Sequence, residues 1–333
     1  TMHAVDVRRR GLILGPQSTA MNRRRLLARV GPIVALGLFF IGPSRVQAGS
    51  HDAALNPPDN RKLRILCFGA HPDDCELRAA GVAILWAARG HHVKFVSVTN
   101  GDIGHWRDSP GPLARRRRQE VERAAKVLGI ATEVLDIHDG ELLPTLENRR
   151  TITRLIREWK ADIVMSHRPN DYHPDHRYTG TLVQDSAFMV TVPQFCPEAP
   201  ALKTNPVFLF YPDAFQKPIP FQPDVVVAID SVIEKKLDAL DMLESQFYEG
   251  GALGSADMIP TDPDKQDERR RQVREAHARR NQGIATRFRD KLAEWYPKDK
   301  ASKVQFAEAF EICEYGRRPD RAELARLFPF FGD

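Results

Sequence analysis

The sequence predicts an α/β protein, a Rossmann-like three-layer α/β/α sandwich built on a mostly parallel sheet. Three observations predict it. Short apolar runs alternate with helix-length stretches from Leu63 onward, the pattern of right-handed βαβ units. The distinctive polar residues fall at the ends of those runs, where open α/β sheets collect their ligand chemistry. A hydrophobic content of 42% is ordinary for a globular chain and supports a sizeable core.

The elements follow in order. Residues 1–48 contain eight Arg, no Lys and a single acid, Asp6. Arg23, Arg24 and Arg25 follow Met21, an apolar run extends from Val30 to Gly42, and Val46-Gln47-Ala48 offers a cleavage site. This is the make-up of an export signal, and Arg23-Arg24-Arg25-Leu26-Leu27 is similar to the twin-arginine type. Met21 begins a complete signal by itself, which makes residues 1–20 an over-extended start. The apolar run is too short to span a bilayer, and no other segment is long enough. The expected product is therefore a cleaved periplasmic or extracellular protein without a stable membrane span; an uncleaved anchor is the alternative. Residues 49–62, with Pro57-Pro58, read as a linker.

The catalytic domain is expected over residues 63–317. Strands are predicted at Leu63–Ala70, Val93–Thr99, Glu133–Ile137 and Asp162–Ser166, and helices at about Leu113–Leu128 and Arg149–Lys160, with a first helix ending near Arg89. Beyond residue 190 the alternation weakens. Apolar runs at Val207–Tyr211 and Val225–Ile229 precede a helix over Ser231–Gln246 and a long charged helix over residues 264–295. Ile284, Phe288, Leu292 and Trp295 fall on one face of the latter, and its Arg269-Arg270-Arg271 run reads as a solvated face. Residues 318–333 are expected to be a C-terminal tail. No Gly-rich dinucleotide fingerprint follows the first strand, which argues against a nucleotide cofactor.

Charge excludes one class of function. The formal net charge is +5, but without residues 1–48 the chain holds 41 basic and 43 acidic residues, a net −2. The basicity belongs to the leader, so a nucleic-acid partner loses its main support. Cys67, Cys75, Cys196 and Cys313 are too scattered for a disulfide framework or a zinc ribbon and read mostly as buried thiols.

The first strand ends in Ala70-His71-Pro72-Asp73-Asp74-Cys75-Glu76. Proline suits the first position of a helix, which would put Asp73 and Asp74 in its first turn. His71 and Asp74 are three apart, so one turn brings both toward the same point. The fourth strand ends at His167, and His173-Pro174-Asp175-His176 follows with the same construction. Taken singly, each motif could be an ordinary cap or a loop with surface histidines. Two such turns at strand ends on one side of a sheet could close three ligands around a divalent metal, leaving one position for water.

His71-Pro72-Asp73-Asp74 with Glu76, followed about a hundred residues on by His173-Pro174-Asp175-His176, resembles the LmbE/PIG-L family of metal-dependent deacetylases. The resemblance runs from roughly Arg64 to His176, with a looser family-like ending around Phe306–Arg317. It implies N-acetylglucosaminyl or related substrates, small-molecule or glycan, and zinc as the metal, with iron as the alternative. His71, Asp74 and His176 would bind that metal, Asp73 would be the general base, and a metal-activated water would attack the acyl carbonyl. His173 would stabilise the oxyanion or protonate the leaving amine, with Asp175 orienting it. Arg117, within Arg117-Arg118-Gln119-Glu120, and Asp139, within Asp139-Gly140-Glu141-Leu142, match positions that contact the sugar. Four consecutive arginines leave the Arg117 register open by one residue. His91, His92, His105, His138 and His277 carry no such pattern and read as structural. The alternatives are a metal-dependent amidase on a non-sugar acyl-amine and a catalytically idle carbohydrate-binding protein.

Overall fold

In the computed structural model, which describes residues 61–331, the first apolar run forms β1 (Arg64–Gly69), an interior strand of the sheet. The export signal and the linker up to residue 60 lie outside the described residues. From β1 the chain passes through α1 (Asp74–Ala88) to β2 (His92–Ser97), and through α2 (Pro110–Leu128) to β3 (Ala131–Val134). It then returns through α3 (Leu146–Trp159) to β4 (Ile163–Ser166), and through α4 (Pro174–Met189) to β5 (Val207–Phe210). The second half supplies β6 (Val225–Ala228), α5 (Ile233–Leu240), α6 (Glu244–Phe247), α7 (Pro263–Arg287), α8 (Arg289–Trp295), α9 (Lys298–Ala301), β7 (Ala307–Cys313) and α10 (Arg321–Leu327).

The strand order is β3-β2-β1-β4-β5-β7-β6. The first five strands are parallel, and β7 runs antiparallel to both its neighbours. Strand alternation divides the core as a doubly covered sheet requires. Ile65 and Cys67 join Val121 and Leu128 of α2 on one face, while Leu66 and Phe68 join Ile156 of α3 and Leu182 of α4 on the other. Strands β1 and β4 are neighbours whose onward connections lead to opposite flanks of the sheet. A crevice therefore opens beyond their carboxyl ends, and both histidine motifs begin there.

Two glycines admit the contacts that shape this region. Gly180 of α4 rests on the turn after β4: a Cβ there would sit 2.7 Å from the His167 carbonyl oxygen. Gly81 of α1 admits Glu308 of β7, whose Oε1 would be 2.9 Å from such a Cβ. Glu308 accepts the Gly81 and Val82 amides at 2.8 Å each, and buried Lys236 bonds both Glu308 (2.7 Å) and the Leu77 carbonyl (2.9 Å). An ion pair from α5 and β7 is thus inserted against the backbone of the helix that starts at the site.

Several boundaries differ from expectation. The helix expected over 264–295 breaks at Phe288, whose ring meets Phe221 while Arg289 donates to the Ala301 and Val304 carbonyls. The helix expected over Ser231–Gln246 is divided into α5 and α6. The fold also does not stop at residue 317. Helix α10 carries Phe328 and Phe330 into the core against Trp86, whose indole N–H donates to the Leu327 carbonyl at 2.8 Å. All four cysteines are buried free thiols. No helix among the described residues is long and apolar enough to cross a membrane.

Candidate active site

The two histidine motifs are alike in sequence but fold differently. His173 is the N-cap of α4, with Pro174 in the first turn and the His173 Nδ1 accepting the Asp175 amide at 3.2 Å. Helix α1 starts later in its motif, at Asp74, so Asp73 is its cap rather than a first-turn residue. Asp73 adopts φ 150° and ψ −26°, a conformation that costs of order 1–3 kcal/mol for a residue with a side chain. Arg117 holds it there: its guanidinium donates to the Pro72 carbonyl (2.7 Å), the Gly101 carbonyl (3.2 Å) and the Asp73 carboxylate (3.2 Å). Helix geometry distinguishes the four consecutive arginines from one another. Arg117 is buried on the inner face of α2, whereas Arg115 and Arg118 are exposed and Arg116 pairs with Glu249, Asp108 and Glu120.

His71, Asp74 and His176 meet at one point. His176 Nε2 lies 3.2 Å from His71 Nδ1, and Asp74 oxygens lie 3.5 Å from each of those nitrogens. The outer nitrogens face carboxylates: His71 Nε2 is 3.0 Å from Asp139, and His176 Nδ1 is 3.0 Å from Asp171. Carboxylates on the outer nitrogens place the ring protons there and turn the inner lone pairs toward one another. Two ring nitrogens 3.2 Å apart need a shared proton or a bound cation between them, and imidazole with carboxylate is a donor set that suits a divalent metal. The residues present therefore fit such an ion. Burial opposes charge on His71, but Asp139, Asp175 and Asp74 outweigh it and hold its pKa well above the ordinary value. Burial likewise opposes ionisation of Asp74, yet His176 and His167 keep its pKa well below the usual carboxylate range.

His167 is a fourth candidate donor, 3.2 Å from Asp74 and stacked on His176. Its Nε2 accepts the Ala70 amide, and burial lowers its pKa to about 4, so it is neutral with that lone pair engaged. Asp73 sits beside the cluster without a histidine partner. Burial first, and then Asp74, raise its pKa to about 6 against the pull of Arg117. Burial also raises Glu76 to about 8, leaving it a neutral acid at pH 7 behind the site.

The remaining expected site residues are present with different contacts. The Asp175 carboxylate is not on His173: it accepts the Gly140 amide at 2.7 Å and lies 3.5 Å from His71 Nε2, and only its backbone touches the His173 ring. Asp139 lines the cleft, but one of its oxygens is engaged with His71, and its amide is held by Asp102 at 3.1 Å. Arg117 also lines the cleft, with most of its donors spent on Asp73 and its loop. His173 faces His71 edge-on at 4.6 Å between ring centres, and burial followed by the neighbouring histidines lowers its pKa. His105 is buried in a separate cluster with Glu249 and Asp108, and His138 pairs with Asp102.

Sequence reasoning missed Asp171, Tyr172, Arg78 and Arg280. Asp171 lay within reach, as an acid two residues before His173 in the same loop. Arg78 is one turn after Asp74. Tyr172, 72% exposed, and Arg280, contributed by α7, carry no sequence signal that ties them to the motifs. Arg78, Tyr172 and Arg280, though not Asp171, join the two histidine motifs in lining an open cleft of about 460 Å³ with Leu77 and Phe247 on its wall, within the size range of small-ligand pockets.

Comparison with known proteins finds matches over the segment that carries both motifs. The family profile described as PIG-L: GlcNAc-PI de-N-acetylase matches residues 66–187, which contain both histidine motifs. A diacetylchitobiose deacetylase of Thermococcus kodakarensis is 32% identical over 209 residues, 60% of this chain and 75% of that protein. A 4-oxalmesaconate hydratase of Pseudomonas putida is 28% identical over 202 residues, 58% of this chain and 77% of that one. The solved structure of N,N'-diacetylchitobiose deacetylase from Pyrococcus horikoshii superimposes with a TM-score of 0.58 at 25% identity, covering 78% of this chain and 86% of that one.

Proposed function

The chain belongs to the PIG-L family, and on that premise we infer that it is a metal-dependent N-deacetylase acting on an amino-sugar substrate. The observation that carries the reading is the meeting of His71 Nδ1, Asp74 and His176 Nε2, with carboxylates behind both histidines. We assign these three as the ligands of a divalent metal; zinc suits this donor set, and two histidines with one carboxylate also suit ferrous iron. Bound there, the metal supplies a Lewis acid and lowers the pKa of a coordinated water.

The chain's own residues supply the rest. Asp73, with a pKa raised to about 6, takes the proton of the attacking water, and Arg117 fixes its carboxylate for that task. His173 projects from the α4 cap toward the cleft, placed to donate to the developing oxyanion and then to the departing amine. Asp175 and Asp139 orient His71 through its outer nitrogen. Exposed Tyr172 offers an aromatic face for a sugar ring at the rim. The leader sequence supports action outside the cytoplasm, on cell-wall, exopolysaccharide or scavenged amino sugars.

The test is release of free amine from a panel of N-acetylated sugars, using protein lacking residues 1–48, metal-stripped and then reloaded with zinc. Activity is expected to return with metal and to be abolished by Asp73→Ala. His173→Ala should cost about 10²–10³ in turnover while metal stays bound. Tight zinc binding with no amine released from any sugar would remove the reading and point to a non-sugar amide or to hydration, the reaction named for the Pseudomonas relative.

A further inference from the structure

The cleft carries positive charge that deacetylation does not use. Arg78 lies four residues after Asp74 on α1, so one helical turn places it next to the metal-facing carboxylate along the same face. Its Nη1 donates to the Pro212 carbonyl at 2.9 Å, and its Nε is buried without a partner. Arg280 of α7 lines the same cleft and opens to solvent. Among the described residues neither arginine makes an ion pair. Arg280 loses hydration against the cleft wall and is repelled by Arg78, and both effects hold its pKa below the ordinary arginine value.

Asp73 of the same cleft attracts Arg280 at longer range, but two neighbouring cations with no carboxylate in ion-pair contact are unfavourable in the free protein. The other arginines nearby are all engaged: Arg117 with Asp73, Arg116 with Glu249, and Arg269 with the Phe247 and Tyr248 carbonyls. Helix α7 also lies outside residues 66–187, so Arg280 is not part of the segment matched by the family profile. Guanidinium groups present planar forks of donors that suit carboxylate and phosphate oxygens.

We propose that Arg78 and Arg280 form an anion subsite, and that the amino sugar deacetylated here carries a carboxylate or phosphate group. This rests on the deacetylase reading and narrows its substrate class to anionic amino sugars. The acyl group sits over His71, Asp74 and His176, and the anionic group lies toward α7.

The experiment measures kcat/KM for N-acetylglucosamine, its 1-phosphate, its 6-phosphate and N-acetylmuramic acid on the zinc-loaded protein. At least one anionic sugar is expected to exceed the neutral one by about tenfold or more, mainly through KM. The phosphates and the muramic acid separate phosphate from carboxylate as the preferred group. Arg280→Gln, a solvent-facing change, should shrink the anionic-to-neutral ratio by about tenfold, and Arg280→Lys should recover part of it. A wild type that prefers the neutral sugar, or an Arg280→Gln variant that slows all four substrates equally, overturns the subsite. Calorimetric binding of glucosamine 6-phosphate, glucosamine 1-phosphate and muramic acid against glucosamine needs no turnover. If no amine is released from any sugar, yet Arg280→Gln and Arg78→Gln each weaken only the anionic ligands, the subsite stands and the deacetylase reading falls. Equal affinities for charged and neutral ligands overturn the subsite whatever the turnover shows.

Discussion

His176 reaches the centre of the site with one nitrogen because Asp171 holds the other. That carboxylate lies 3.0 Å from Nδ1, and its Oδ1 also accepts the His173 amide at 3.2 Å, so one side chain steadies two histidines. Carboxylates behind metal-facing histidines typically contribute 10–100-fold to metal affinity. Asp171→Asn keeps the shape and removes the charge, and it is expected to weaken zinc binding by about that factor in a competition titration against a chelator. Unchanged affinity would show that His176 is not a ligand. The residues legible in the sequence were those three positions apart: His71 with Asp74 across the turn before α1, and His173 with His176 in the first turn of α4. Asp139 and Asp175 were legible as members of the site but not in their contacts, because a spacing rule says nothing about which neighbour a carboxylate will turn to. Asp175 turns to Gly140 and His71, since His173 already has its Nδ1 filled by the backbone.

Helix α1 carries Asp74, Arg78 and the packing of the whole site-bearing flank, yet its middle is braced from outside. Lys236 and Glu308, both about 1% exposed, bond to each other and to the helix backbone at Leu77, Gly81 and Val82. Lys236→Met leaves the Glu308 carboxylate buried without its cation, a change that typically costs about 3–5 kcal/mol. The urea midpoint of the variant should fall accordingly; a loss below about 0.5 kcal/mol would mean that the pair is not a brace. Glu308 stood in a segment that resembled the family ending, but its function was not legible. The acid is fully buried in a strand whose other acid, Glu311, is only partly so, and only the approach of α5 and Gly81 explains it. The break at Phe288 was hidden for a similar reason: the apolar spacing continues through it, and the contacts that turn the chain come from Phe221, Ala301 and Val304.

Across the molecule, the parallel half of the sheet was legible and the closing half was not. Alternation identifies βαβ units, so β1 to β4 and the gathering of both motifs at strand ends follow from the sequence, whereas the adjacency of β1 and β4 does not. The antiparallel return of β7 and the docking of α10 depend on pairings about eighty or more residues apart, with no local signal. The expected end at residue 317 therefore fell short of the folded unit. Phe328 is fully buried and Phe330 4% exposed, and each large side chain taken from a core costs about 3–5 kcal/mol. A chain ended after Arg317 retains every proposed catalytic residue, yet it is expected to lose a cooperative thermal transition or to melt well below the full protein. Equal melting temperatures would restore residues 318–333 to the status of a tail.

The insertion of Glu308 into α1 also imposes an order on biosynthesis. The residues that would hold the metal leave the ribosome early, within the first 180 positions, and the parallel strands can pair as soon as they emerge. Their helix is not steadied until β7, more than two hundred residues after Gly81, has been made and threaded into the sheet. A nascent chain thus displays the proposed catalytic groups well before it can align them, and that alignment waits on the synthesis of β7.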